Sequence, residues 1–317
     1  MPAYFTPQTR REILAGIFLN FIMKIPFFLA SLCVSICSFA QAQAPAGSEI
    51  ILFDLKIKKD KVTLSNPKNI TNRPGYDNQP SFHPDLPFIY FSSFNDQQRS
   101  DIKRYNIKDG TTVNITATNE REYSPTVTPD KQFLSCVIQR DNGAQDLGKY
   151  PIDGGESALI IDSLIVGYHV WVDNSHLALF VLGGEGKPNN LHFMRLPTKS
   201  DTVLATDIGR SLNKIPEERA FSFIQHREKE NKIMKYSTET TSISELGTTI
   251  NMKEDIAWTH DGKILTSDGA RLFFMNSKKR GKEWIPINVV AGSDLLKSIT
   301  RIAVSPKGDK VAIVVSE

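Results

Sequence analysis

The sequence predicts an all-β fold, a single six-bladed β-propeller whose last blade is closed by strands from both ends of the chain. Three observations carry this. A local pattern recurs six times, a second apolar column follows it at a nearly fixed distance, and the unit left incomplete at the C-terminus finds its missing strands near the N-terminus.

The recurring pattern is an apolar residue, a short turn containing Pro, Asp or Asn, and a second apolar run. It starts at Phe82, Val127, Trp171, Ile215, Trp258 and Val304, at intervals of 45, 44, 44, 43 and 46 residues. A period of about 44 residues is that of propeller blades. Pro presets φ at the turn, Asp or Asn tolerates its tight backbone, and Gly262 and Gly308 can supply positive φ. The flanking runs are short, β-branched or aromatic and alternate in polarity, so each unit begins with a hairpin.

The second column sets the register. Ile102-x-x-Tyr105-x-Ile107, Leu147-x-x-Tyr150-x-Ile152, Leu191-x-x-Met194-x-Leu196 and Ile233-x-x-Tyr236-x-Thr238 are third strands, and Leu272-x-x-Met275 is the fifth, reached by a shorter loop. Turns such as Lys108-Asp109-Gly110 and Asp153-Gly154-Gly155 follow. Fourth strands are expected at 112–116, 159–162, 202–206, 242–246 and 285–290.

After Val304 only Val311–Val315 remains, which gives two strands. The missing third strand is Ile50-x-x-Phe53-x-Leu55 and the fourth is Val62–Leu64, with Asn69-Ile70-Thr71 echoing Asn114-Ile115-Thr116. Closing the ring in this way protects sheet edges that would otherwise recruit other chains. A β-sandwich or a two-domain chain leaves that complementarity of the termini unexplained.

Composition agrees. The 317 residues are 40% hydrophobic and 23% charged, as in ordinary globular chains. Net charge is +3, and Arg10, Arg11 and Lys24 against Glu12 supply two of those charges. The rest is close to neutral, so positive potential does not drive nucleic-acid or anionic-lipid binding. No nucleic-acid partner is expected.

Residues 1–44 form an address. Lys24 precedes an apolar run from Ile25 to Ala40, and Ala40-Gln41-Ala42 places small residues where a signal peptidase reads them. Cleavage is expected near Ala42 or Ala44, with Met23 a natural start and Met1–Ile22 an upstream extension. Thr9-Arg10-Arg11 loosely resembles a twin-arginine signal, and Ile13–Ala40 could instead stay as an anchor. Neither Cys33 nor Cys37 follows the small residue of a lipoprotein signal. The mature chain, 45–317, then keeps one thiol, Cys136, which suits a small buried hydrophobe in the run Phe133–Ile138. A periplasmic or secreted monomer without a stable membrane span is expected.

The units Gln79-Pro80-Ser81-Phe82-His83-Pro84-Asp85, with Phe88-Ile89-Tyr90-Phe91 and Asp101-Ile102-Lys103-Arg104-Tyr105 behind them, resemble the TolB-type propeller repeat. Ser124-Pro125-Thr126-Val127-Thr128-Pro129-Asp130 is similar; units five and six match fairly, and three and four are degenerate. The resemblance implies an exported six-bladed propeller used mainly as a binding platform in the bacterial envelope. TolB itself carries an α/β domain ahead of its propeller, whereas Ala44 leads almost directly into the first strand here, so no Tol–Pal role carries over.

Motifs for chemistry are sparse. No Gly-x-Ser-x-Gly elbow occurs, and Gly154-Gly155-Glu156-Ser157-Ala158 reads as a turn. The six histidines include no His-Glu-x-x-His, and no Cys pair supplies a zinc site. His83 and His260 are expected as exposed turn residues, and His169 as a solvated loop residue near the centre. Asp141–Asp146 lacks the closing Glu of an EF-hand loop and suits a flexible turn. The sequons at Asn69 and Asn114 have a structural reason at strand ends, so no modification is assigned. No cofactor or metal is called for.

What remains is the ring of loops entering the innermost strands. It carries Arg73, Tyr76, Asp77 and Asn78; Arg121, Glu122 and Tyr123; Tyr168 and His169; Asn213 and Lys214; Lys253, Glu254 and Asp255; and Thr300 and Arg301. Tyr and Arg combine a large contact face with directional hydrogen bonds, which suits protein or glycan recognition. The expectation is a non-enzymatic platform for a protein or cell-wall ligand. The alternative is a metal-assisted hydrolase or lyase acting on sugars or lactones through Asp77, Glu122, His169, Glu254 and Asp255.

Overall fold

Short β-branched and aromatic runs, broken every few residues by turn formers, can neither propagate a helix nor build one large sheet. In the computed structural model, which describes residues 45–279 and 281–317, they form six small antiparallel sheets and two single-turn 3-10 helices. The signal and cleavage expectations fall on 1–44, outside the described residues.

Blade 1 runs outward through Asp77–Phe82, Phe88–Phe94, Ser100–Asn106 and Thr112–Asn114, and blades 2 to 5 repeat that order. The anchors Phe82, Val127, Trp171, Trp258 and Val304 end innermost strands, and Ile215 directly follows its own. At the fifth and sixth hairpins Gly262 and Gly308 adopt φ of 87° and 69°, the left-handed region a side chain disfavours.

Blade 6 joins the termini. Ile299–Val304 is innermost, then Lys310–Ser316, and Ser48–Lys58 and Lys61–Asn69 from the N-terminal end complete it. The seam runs in register from Ser48 opposite Ser316 to Asp54 opposite Lys310, whose side chains form an ion pair.

One fourth strand departs from expectation. Residues 285–290 split into Ile285–Pro286, paired within blade 5, and Asn288–Val289, which pairs in parallel with Lys61–Asn69 of blade 6. Pro286 has no N–H to extend a ladder. The next residue, Ile287, donates its N–H to the Leu272 carbonyl and buries its side chain between the two blades.

The core is six apolar layers, one in each gap between successive blades. Ile89 and Phe91 face blade 6, while Tyr90 on the same strand faces blade 2. Cys136 is fully buried in the layer between blades 1 and 2, and burial pushes its thiol well up, so it behaves as the small hydrophobe expected. The two sequons also find their reason. Thr116 Oγ1 accepts from Ile102 N at 2.8 Å, and Thr71 Oγ1 accepts from Ile50 N at 3.1 Å while donating to Glu49.

Candidate functional site

The innermost strands surround a channel of about 690 Å³ to which all six blades contribute. In blades 1 and 2 the wall is bulged at Gln79-Pro80 and Ser124-Pro125, where the register shifts and Gln79 and Ser124 take φ of 57° and 55°. Gln79 Oε1 accepts from Ser92 Oγ at 2.9 Å and from the Ser124 N–H at 2.8 Å, tying the two bulges together. Pro at each bulge costs nothing because its position lies outside the ladder.

The opposite wall is charged. Asp255 accepts from Arg210 at 2.8 Å and pairs with Arg301 at 3.7 Å. Arg301 also donates to the Tyr168 hydroxyl at 2.8 Å, with its guanidinium 5.0 Å from that ring's centroid. Arg210 reaches the Thr300 carbonyl at 3.4 Å, yet its Nε is buried without a partner. These groups all stand at the end where the innermost strands begin.

Tyr76 belongs to the same neighbourhood. Burial pushes its phenol up to about 12, against the pull of the Arg301 and Arg210 charges, and the Tyr168 and Tyr123 hydroxyls lie within electrostatic reach. Its ring packs on Phe94 at 5.1 Å, and Phe94 lies 6.4 Å from Tyr123. Tyr76 and Arg73 also line a smaller recess of about 300 Å³ beside Pro45.

Other expected residues are placed elsewhere. Asp77 is fully buried and held by Arg73 at 2.9 Å; burial raises its carboxyl despite that partner. Asn78 is buried and bonds its neighbour's Gln79 N–H. Glu122 is sealed from solvent and accepts from Thr118 at 2.5 Å, Tyr150 at 2.9 Å and Thr116 at 3.2 Å, with burial again raising it. Arg121 turns outward to Asp141 at 2.9 Å. Glu254 bonds the Arg210 N–H at 3.2 Å and His226 at 2.7 Å. Asn213 and Lys214 line the channel nearer its hairpin end, and Asn213 donates to Ser211.

Two histidines correct the sequence reading. His83 is buried rather than exposed: its Nδ1 accepts from the Asp85 and Leu86 N–H groups at 3.0 Å each, capping the hairpin from inside. His169 is also buried, in the strand Val166–Trp171, not in a solvated loop. Its Nε2 lies 2.7 Å from Ser135 Oγ, which also accepts the Trp171 indole N–H at 2.9 Å and gives its own proton to the Thr126 carbonyl at 3.0 Å. Ser135 has only one proton to give, so His169 Nε2 must be the donor and the unpartnered Nδ1 carries the lone pair. Burial lowers the His169 pKa to about 4, so the ring is neutral.

Arg210 was not among the expected residues. Blade 4's innermost strand is only Asn213–Lys214, so Arg210 lies ahead of the strand rather than in it. Five residues before the anchors stand Asp77, Glu122, Val166, Arg210, Lys253 and Ile299, so Arg210 shares its column with the two buried carboxylates but no common residue type marks it.

No protein-family model matches the chain, and no curated protein matches it. Solved structures do. A protein described as TolB from Agrobacterium tumefaciens is similar with a TM-score of 0.64 at 15% identity, over 86% of this chain and 99% of that one. A structure of a nidogen/laminin complex matches with a TM-score of 0.58 at 11% identity, over 81% and 98%. Oligogalacturonate lyase in complex with manganese matches with a TM-score of 0.57 at 10% identity, over 86% and 98%. At such identities the likeness is one of fold, and the fold is a TolB-like six-bladed propeller.

Proposed function

We propose that the chain is an exported, non-enzymatic binding platform that engages a protein or cell-envelope ligand at its hub. The observation that carries this reading is the open channel where Tyr168 and two arginines sharing Asp255 stand at the end where the innermost strands begin, with Tyr76 beside them. Such side chains dominate recognition surfaces because they offer area and directed hydrogen bonds at little entropic cost. The enzyme alternative needs its acids to converge on one reacting atom. Glu122 is instead spent on Thr116, Thr118 and Tyr150, Asp77 on Arg73, and Glu254 on His226. No group of three metal-ligating side chains forms among the described residues.

Export is the second half of the proposal and rests on residues 1–44. Amino-terminal sequencing of protein from a periplasmic fraction should start just after Ala42 or Ala44. The platform is tested by replacing Tyr76, Tyr123 and Arg301 together with Ala and repeating an envelope pull-down. Partners captured by the wild type should disappear, and an unchanged set would move recognition off this face.

A further inference from the structure

The hub's two arginines carry more hydrogen-bond donors than the fold satisfies. Two guanidiniums share one carboxylate, leaving a single net positive charge on the Arg210–Asp255–Arg301 cluster. Lys214 and Glu217, also on the channel wall, cancel each other. Glu254 behind Arg210 shares one histidine, His226, with Asp207 at 2.7 and 3.0 Å, so this pair of carboxylates keeps at least one negative charge beside the cluster. Donors outnumber acceptors as well. Each guanidinium offers five N–H groups, and among the described residues the two find only Asp255, the Thr300 carbonyl and the Tyr168 hydroxyl, with Arg210 Nε buried and unpartnered. Arginine pairs of this kind favour planar anions bound through two parallel hydrogen bonds.

We infer that this cluster receives a carboxylate carried on an extended acidic segment of a partner protein, an inference that rests on the platform reading above. A carboxylate offers a guanidinium the planar pair of acceptor oxygens that two parallel hydrogen bonds need. A peptide is favoured over an acidic sugar by the strand edges that line the channel. The innermost strands present their unpaired edges to the channel, which suits hydrogen bonding to a peptide backbone.

The test uses the full mature chain and a fluorescein-labelled peptide of about ten alternating Glu and Ser residues, roughly 33 Å when extended and long enough to thread the hub. An alternating Gln-Ser peptide and trigalacturonate are the other arms. The Glu-Ser peptide should bind, weaken with added salt and lose about tenfold or more in affinity with Arg301→Gln, while Gln-Ser stays unbound. Asp255→Asn, which removes the competing carboxylate, should tighten binding severalfold and serves if Arg301→Gln melts early. Equal binding of both peptides, no binding of Glu-Ser, or indifference to these variants overturns the carboxylate. Trigalacturonate bound in preference to the peptide overturns the peptide. Envelope capture that survives either result leaves the platform standing, so the two readings fail separately.

Discussion

His169 makes the hub sensitive to acid. The ring is neutral and buried, donates through Nε2 to Ser135, and has its pKa lowered by burial to about 4 against an ordinary 6.5. Between those values the unfolded chain binds a proton that the folded one refuses, so stability falls as pH drops through that window. The gap corresponds to about 3 kcal/mol in full, most of it lost by a pH of about 4.5. His169→Gln keeps an N–H donor for Ser135 and removes the titration. Urea unfolding of both proteins at neutral and mildly acid pH should show the wild type losing about 2–3 kcal/mol more than the variant. Glu122 and Asp77 act in the opposite sense, since their raised carboxyls take up protons in the folded state on acidification. They are common to both proteins and drop out of the difference. Parallel pH curves would refute the buried, neutral imidazole and the donor assignment that follows from it.

Closure of the ring can be tested at Phe53, which is fully buried between blades 5 and 6. Phe53→Ala should cost about 3–5 kcal/mol in urea unfolding, and a loss under about 1 kcal/mol would mean that the seam bears little of the fold. Deleting residues 49–64 removes nearly all of the strand Ser48–Lys58 and the first four residues of Lys61–Asn69, and the remaining chain should show no cooperative melt by circular dichroism. Tyr150→Phe withdraws one donor from the sealed Glu122 and should destabilise by about 1–3 kcal/mol at neutral pH. That loss should shrink in mild acid, where Glu122 protonates, and a pH-independent loss would point to packing instead.

The ring was legible in the sequence because each blade repeats the same physical problem. An innermost strand must end in a tight turn, so Pro, Asp and Gly recur at fixed offsets, and blade faces must pack in layers, so the apolar columns keep their phase. Strand ends were harder to read. The split at Pro286 depends on whether Ile287 goes to its own blade or to the gap with blade 6, a choice made by a neighbour more than two hundred residues away in sequence. At the hub, Tyr168, Asp255 and Arg301 could be named from their distance to the anchors. Their mutual bonding could not, because it joins blades 3, 5 and 6 across the axis. The burial of His83 and His169 escapes the sequence for a related reason. A turn or loop position says nothing of whether the ring folds inward, and inward is where unpaired N–H groups or a Ser–Trp pair awaited them.

The least regular units supply most of the chemistry. Blades 1 and 2 keep the repeat most faithfully, and their carboxylates at the column five residues before the anchor, Asp77 and Glu122, are consumed within the walls. In blade 4 the same column holds Arg210, the innermost strand shrinks to two residues, and the guanidinium is released toward Asp255. Blade 3 has Val166 in that column with Tyr168 and His169 following it along the strand, and Arg301 enters from the blade that the termini build together. A repeat that preserved its acids in every blade would give a closed hub of satisfied carboxylates. Only blades 1 and 2 keep an acid there; Val166, Arg210, Lys253 and Ile299 stand in the other four, which leaves cationic donors on one side of the channel and the Pro bulges of Gln79 and Ser124 on the other. A ligand entering such a hub meets charge on one flank only, so it can bind in just one rotational setting about the axis, and that asymmetry is what a specific recognition site on a near-symmetric ring requires.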